Sequence, residues 1–151
     1  MVRILLVGAP VMILCLVLQS LFLVISLRQH DRFRIPPRYK PSPVRNIAIL
    51  AAVMMIMTLG SLLQVAIWGG LFILLGEFEK PEAALYYSAV NFSTLGYGDI
   101  VMSDRWRLLG PLESFNGILM FGVSTALMTA ALNGMVRQHI VWRNKPDHSP
   151  D

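Results

Sequence analysis

Residues 86–99 read Tyr-Tyr-Ser-Ala-Val-Asn-Phe-Ser-Thr-Leu-Gly-Tyr-Gly-Asp, and this stretch decides the fold. Its last six residues, from Thr94 to Asp99, carry glycines at alternate positions, Gly96 and Gly98. Glycine adopts backbone angles that are closed to other residues, so successive carbonyl groups here can point toward one axis. Four such strands around an axis form stacked rings of carbonyl oxygens, to which the Thr94 hydroxyls add an innermost ring. Rings of this kind replace the hydration shell of a bare monovalent cation.

The segment before it, residues 81–93, is mostly apolar and too short to cross a bilayer. Pro81 suits the first position of a helix, and Glu82 suits the positive end of its dipole. A short apolar helix between two longer ones is typical of a re-entrant helix. Protein must cover it, because lipid cannot satisfy the irregular backbone that follows.

Working outward, three apolar segments are each long enough to span, at residues 4–27, 44–75 and 108–136. Hydrophobic residues make up 55% of the chain and charged residues only 15%, whereas soluble domains are about one-quarter charged. The sequence therefore predicts an all-α membrane protein with three transmembrane helices. The re-entrant helix and the glycine-containing segment lie between the second and third. The first apolar run exceeds the ~7–15 residues of a signal-peptide core, so we expect a retained span.

The distribution of charge predicts the orientation in the cell membrane. The loop at residues 28–45 carries six basic residues against one acid, and more basic residues follow the third apolar segment. The positive-inside rule places this loop and the C-terminus in the cytoplasm, and the N-terminus and residues 76–107 outside. We read the basic loop as a topology signal, with contact to anionic lipid head groups as the alternative. No nucleic-acid partner is expected.

The expected organisation has four parts. They are an N-terminal transmembrane helix (1–27), a basic cytoplasmic linker (28–43), a membrane module (44–137) and a cytoplasmic tail (138–151). The single cysteine, Cys15, excludes an intramolecular disulfide. The apolar segments hold no nucleophile–base pair and no metal cluster, so neither an enzyme nor a cofactor is expected.

Residues 86–99 resemble the potassium-channel pore family, and residues 115–127 continue the resemblance. Bacterial two-span members have two inner-helix glycines five residues apart, which Gly117 and Gly122 match. The resemblance covers residues 44–137, with an outer helix at 44–75, a pore helix at 81–93, a filter at 94–99 and an inner helix at 108–136.

The resemblance implies a homotetramer in the lipid bilayer that conducts K⁺ passively through one central pore. K⁺ would be the permeant ligand of the filter, and Asp99 would lie at its outer mouth. Tyr87 would brace Tyr97 from behind the filter. Gly117 and Gly122 would serve as a gating hinge, although close helix packing explains them equally well. The residues that would bind K⁺ are Thr94, Leu95, Gly96 and Tyr97, with Gly98 completing the filter.

Two departures from the family keep alternatives open. Leu95 replaces the usual valine, and Val90 stands where some members have a glutamate that holds the filter aspartate. A non-selective cation channel on the same scaffold, or a non-conducting membrane partner subunit, remains possible.

Polar residues within the apolar segments also carry expectations. Gln64 should bond a neighbouring helix. Asn116 and Ser124 should line a cavity or bond within the helix bundle. Glu113 should pair with Arg105 or Arg107, or reach water.

Overall fold

The computed structural model describes residues 2–32 and 42–143, which form four helices and contain no strand. The helices are α1 (Val2–Arg32), α2 (Pro43–Leu74), α3 (Pro81–Phe92) and α4 (Leu109–Arg143). Three stretches are long and apolar enough to cross a membrane, at Val2–Arg28, Pro43–Leu74 and Leu109–Val141. The predicted fold class, an all-α membrane protein with three spanning helices, is confirmed.

Proline sets the starts of α2 and α3. Ser42 and Lys80 precede Pro43 and Pro81 and are both extended, with φ near −100°. Proline disfavours helical angles in the residue before it, and its own missing N–H is not needed in the first turn of a helix. Both starts lie within one residue of the predicted positions.

Two helices run further than their apolar segments. α1 continues to Arg32, past the expected end at residue 27, and α4 continues to Arg143, past residue 136. An apolar run reports the part of a helix suited to the bilayer core, and arginine and glutamine, which favour helix, follow the run in both cases. Residues 33–41 of the expected linker and residues 144–151 of the tail lie outside the described residues.

Apolar packing holds α3 between α2 and α4. Tyr87 of α3 packs edge-on against Phe72 of α2, with ring centroids 5.4 Å apart, and its ring also lies 5.3 Å from that of Phe78. Trp68 and Leu109 are fully buried in the same cluster. Aromatic pairs at these separations add to the stability gained from burying apolar area.

A buried row of polar side chains fastens α1 to the other helices. The Gln64 amide donates to Gln19 Oε1 over 2.8 Å, and the Asn116 amide approaches Gln64 Oε1 at 3.4 Å. Gln19 also lies 3.5 Å from Ser124 Oγ. The prediction that Gln64 bonds a neighbouring helix is confirmed. Asn116 and Ser124 bond within the bundle, and Ser124 also lines a cavity between α2 and α4.

Candidate functional site

The backbone of residues 94–99, named the filter segment after its predicted role, alternates in the sign of φ. Thr94, Gly96 and Gly98 have φ of 62°, 57° and 74°, whereas Leu95 and Tyr97 between them are not among the residues with positive φ. An extended strand points successive carbonyls to opposite sides. When positive and negative φ alternate, successive carbonyls can point to the same side. The glycines at 96 and 98 predicted this arrangement.

Thr94 owes its left-handed angle to the way α3 ends. The Leu95 N–H donates to the Val90 carbonyl over 3.0 Å, and the Thr94 N–H donates to the Asn91 carbonyl over 2.9 Å. This pair of bonds is a Schellman motif, in which the residue at Thr94's position is left-handed and usually glycine. A β-branched residue with positive φ costs roughly 1–3 kcal/mol and is found mainly at functional sites. The sequence did not predict this, since threonine gives no signal for a left-handed cap.

The filter segment is exposed in the single chain. The Leu95 and Tyr97 side chains are 57% and 66% exposed, and a methyl group added to Gly96 or Gly98 would meet nothing within 4 Å. Irregular backbone within a membrane persists only where protein or a water-filled cavity surrounds it. One chain by itself does not provide that cover.

Tyr86 holds the filter's acidic end. Its hydroxyl donates to Asp99 Oδ2 over 2.7 Å, and this hydrogen bond raises the pKa of Tyr86 above its ordinary value. Val90 lacks the carboxylate that braces this aspartate in some relatives of the resembled family, and here Tyr86 contacts it instead. Sequence reasoning missed Tyr86, although the aromatic pair at 86–87 was the available signal.

Tyr87 lies in the aromatic cluster between α2 and α4. Its ring is buried among Phe72, Phe78 and Trp106, and its hydroxyl lies 2.7 Å from where a side chain on Gly110 would begin. Among the described residues no hydrogen bond joins Tyr87 to Tyr97. The brace between Tyr87 and Tyr97 stays a prediction.

The two α4 glycines differ in their surroundings. A methyl group on Gly117 would lie 2.9 Å from the carbonyl carbon of Phe92 and closer still to its oxygen, so the end of α3 rests directly on this glycine. A methyl group on Gly122 would meet nothing within 4 Å. Close packing accounts for Gly117, while a hinge role for either glycine stays a prediction.

Glu77 anchors the loop that leads from the filter to α4. Its two carboxylate oxygens accept bonds from the Ser103 N–H at 2.7 Å and the Ser103 hydroxyl at 2.6 Å. This ties the loop to the end of α2 beside Gly76. Nothing in the sequence distinguished Glu77 from the neighbouring exposed acids.

The expectation for Glu113 was wrong. Its carboxyl group is fully buried and contacts the Ser88 hydroxyl of α3, while Arg107 pairs with Asp104 at 3.0 Å. Ser88 also lies 2.7 Å from the Val65 carbonyl oxygen. Glu113 faces the bundle because it lies on the side of α4 that packs against α2 and α3, a fact that its position near the helix start did not reveal.

Residues 60–133 match a family model described as ion channel. The matched segment spans just under half of the chain, from within α2 through α3 and the filter segment into α4. No curated protein and no solved structure matches the chain. The fold and the match together define a class, a multi-pass membrane protein whose C-terminal three helices are similar to ion channels. α1 precedes the matched residues.

Proposed function

We propose that this chain is one subunit of a tetrameric, potassium-selective channel that conducts K⁺ passively through a filter formed by Thr94–Asp99. The observation that carries the proposal is the alternating φ of residues 94–98. An ordinary glycine-containing turn needs one or two left-handed residues. Three of them at every second position is the arrangement that lets successive carbonyls face one axis.

The ion sites would be built from main-chain oxygens. Carbonyls of Thr94, Leu95, Gly96 and Tyr97, with the Thr94 hydroxyl innermost, would replace the water around K⁺. Such sites leave the side chains of Leu95 and Tyr97 free to pack away from the axis. The C-terminal end of α3, which leads directly into Thr94, adds a dipole that favours a cation by up to about 1 kcal/mol per helix.

The exposure of the filter supports the tetramer. A single chain supplies one strand of a ring and leaves both large filter side chains uncovered. Fourfold cyclic symmetry closes the ring and gives each strand neighbours. In this arrangement the filter faces the outside, α4 lines the pore and the C-terminus is cytoplasmic, as the distribution of charge favours. Native mass spectrometry from detergent or nanodiscs should give four copies, and a stable monomer would contradict the assembly.

Ion flux from proteoliposomes tests the selectivity. Purified protein should carry K⁺ down its gradient and exclude Na⁺, and Gly96→Ala should abolish this flux because alanine resists a φ of 57°. Gly76→Ala is the matched control. Gly76 has a φ of 74°, and a methyl group there would also meet nothing, but it lies outside the filter.

The pattern of results separates the alternatives. Equal K⁺ and Na⁺ flux from the wild type would favour a non-selective channel. Leu95, in place of the usual valine, is the one filter residue that points to this alternative. Absence of any flux from a verified tetramer would contradict conduction and favour a partner subunit. Equal loss of flux in both glycine variants would show that backbone strain alone, rather than the filter, is responsible.

A further inference from the structure

Glu113 is a carboxylic side chain that the proposed conduction path does not use. It is 0% exposed, and its Oε1 contacts the hydroxyl of Ser88, which is equally buried. Its Oε2 has no hydrogen-bond partner among the described residues. A buried carboxyl group in such surroundings needs a physical explanation.

The hydrogen bonds at Ser88 indicate where a proton lies. The Ser88 oxygen is 2.7 Å from the Val65 carbonyl oxygen, which can only accept. A hydroxyl has one proton, so donation to Val65 leaves Ser88 as the acceptor in its contact with Glu113. That contact is a hydrogen bond only when Glu113 carries a proton and donates it.

Among the described residues, no charged side chain compensates Glu113. The titratable groups close to it are Cys15 of α1 and Tyr87 of α3, which are neutral thiol and phenol at pH 7. The side chain of Asn116, one turn along α4, is also buried and uncharged. Among the side chains that the structure describes, the single ion pair joins Arg107 to Asp104 at the surface. A carboxyl group buried without a cation takes up a proton rather than remain charged.

We propose that Glu113 is a positioning residue that remains protonated at neutral pH and, through Ser88, fixes the pore helix α3 between α2 and α4. The chain of bonds runs from Glu113 to the Ser88 hydroxyl and on to the Val65 carbonyl. Ser88 lies in the middle of α3, and the same helix ends at Thr94. The proton on Glu113 rests on the contacts of Ser88 and on the burial of the carboxyl group without a cation, whereas its effect on ion selectivity rests on the proposed function.

Infrared spectroscopy tests the proton directly. The wild-type tetramer in lipid at pH 7 should show the C=O stretch of a protonated carboxyl group, and Glu113→Gln should remove this band. Glu82→Gln is the control, because Glu82 is an exposed acid in the first turn of α3 and its loss should leave the band in place. Ser88→Ala should keep the band and shift it to higher frequency, because the acid loses its acceptor. A wild-type spectrum identical to that of Glu113→Gln would overturn the proposal.

Conservative rescue separates positioning from simple packing. Glu113→Gln keeps a donor for Ser88 and should retain the wild-type ratio of K⁺ to Na⁺ flux, whereas Glu113→Leu fills the space without a donor and should lose selectivity. If Glu113→Leu does not assemble, Ser88→Ala makes the same test from the α3 side. Equal selectivity in the Gln, Leu and Ser88→Ala variants would overturn the positioning role. If the wild type shows the carboxyl band but no flux, the proposed function fails while the proton on Glu113 stands.

Discussion

The Tyr86 hydroxyl and the Asp99 carboxylate are joined by a hydrogen bond of 2.7 Å, which links α3 to the C-terminal end of the filter segment. Both residues are exposed in the single chain, and they flank the chain reversal that contains Thr94. This bond closes the re-entrant loop on itself. Some members of the resembled family hold this aspartate with a glutamate at the position of Val90. In this chain the bond from Tyr86 holds Asp99 instead.

Tyr86→Phe removes that bond while keeping the aromatic ring. We expect the variant to assemble normally and to show a lower ratio of K⁺ to Na⁺ flux, because Asp99 and the outer filter lose their tether. Asp104→Asn is the control, since Asp104 is an exposed acid in the same connection between α3 and α4, and its hydrogen bond among the described residues comes from Arg107. A reduction of similar size in both variants would point to surface charge rather than to the tether.

The same contact should be visible in a pH titration. Hydrogen bonding to Asp99 raises the pKa of Tyr86. The bond is therefore intact below the ordinary tyrosine value of about 10 and is lost as pH rises through the higher value in the folded protein. Subtracting the ultraviolet phenolate titration of Tyr86→Phe from that of the wild type isolates Tyr86. In Asp99→Asn the Tyr86 titration should move to lower pH, and an unchanged titration would argue that the bond is absent.

Much of the fold could be predicted because it follows from local chemistry. Apolar length identified the three spans, and prolines identified the starts of α2 and α3. The glycines at 96 and 98 pointed to left-handed backbone because no other residue adopts it as readily. The features that could not be predicted depend on how the helices end and on which of their faces pack together. Thr94 is left-handed because α3 ends in a Schellman motif, and Glu113 is buried because its side of α4 faces Ser88.

The aromatic pair illustrates the same limit. Tyr86 and Tyr87 are adjacent and chemically identical, so the sequence alone could not say which one meets the filter. Adjacent helical residues point in different directions, about 100° apart. In the fold, Tyr87 enters the aromatic cluster on α2 and Tyr86 faces Asp99.

Gly117 and Gly122 allow one substitution to be compared at two sites on one helix. Gly117→Ala should lower stability, by roughly 1–3 kcal/mol as in other overpacked sites, because the added methyl group collides with the Phe92 carbonyl. In Gly122→Ala the added methyl group meets open space in the single chain. This variant should be better tolerated, since alanine is more favourable than glycine in a helix by about 1 kcal/mol. Thermal unfolding followed by loss of the tetramer on gel filtration measures both. Equal tolerance would mean that α3 does not rest on Gly117.

The bond between Gln19 and Gln64 predicts a measurable coupling between α1 and α2. Gln19→Leu or Gln64→Leu alone leaves the other glutamine buried without this hydrogen-bond partner, whereas the double variant removes both glutamines. A double-mutant cycle on thermal stability should give a coupling of about 0.6 kcal/mol, within the range measured for bonds between membrane helices. Ser20→Ala is the control on α1, because its hydroxyl bonds the Leu16 carbonyl of its own helix. Strictly additive effects of the two leucine changes would show that this bond does not fasten α1.

The reversal potential of the reconstituted protein, with K⁺ on one side of a planar bilayer and Na⁺ on the other, tests the central claim most directly. A filter of carbonyl rings from residues 94–97 predicts a current that reverses at a potential strongly displaced toward the K⁺ equilibrium value. In Gly96→Ala this displaced reversal should be lost, and in Gly76→Ala it should remain. A wild-type current that reverses at zero would contradict potassium selectivity.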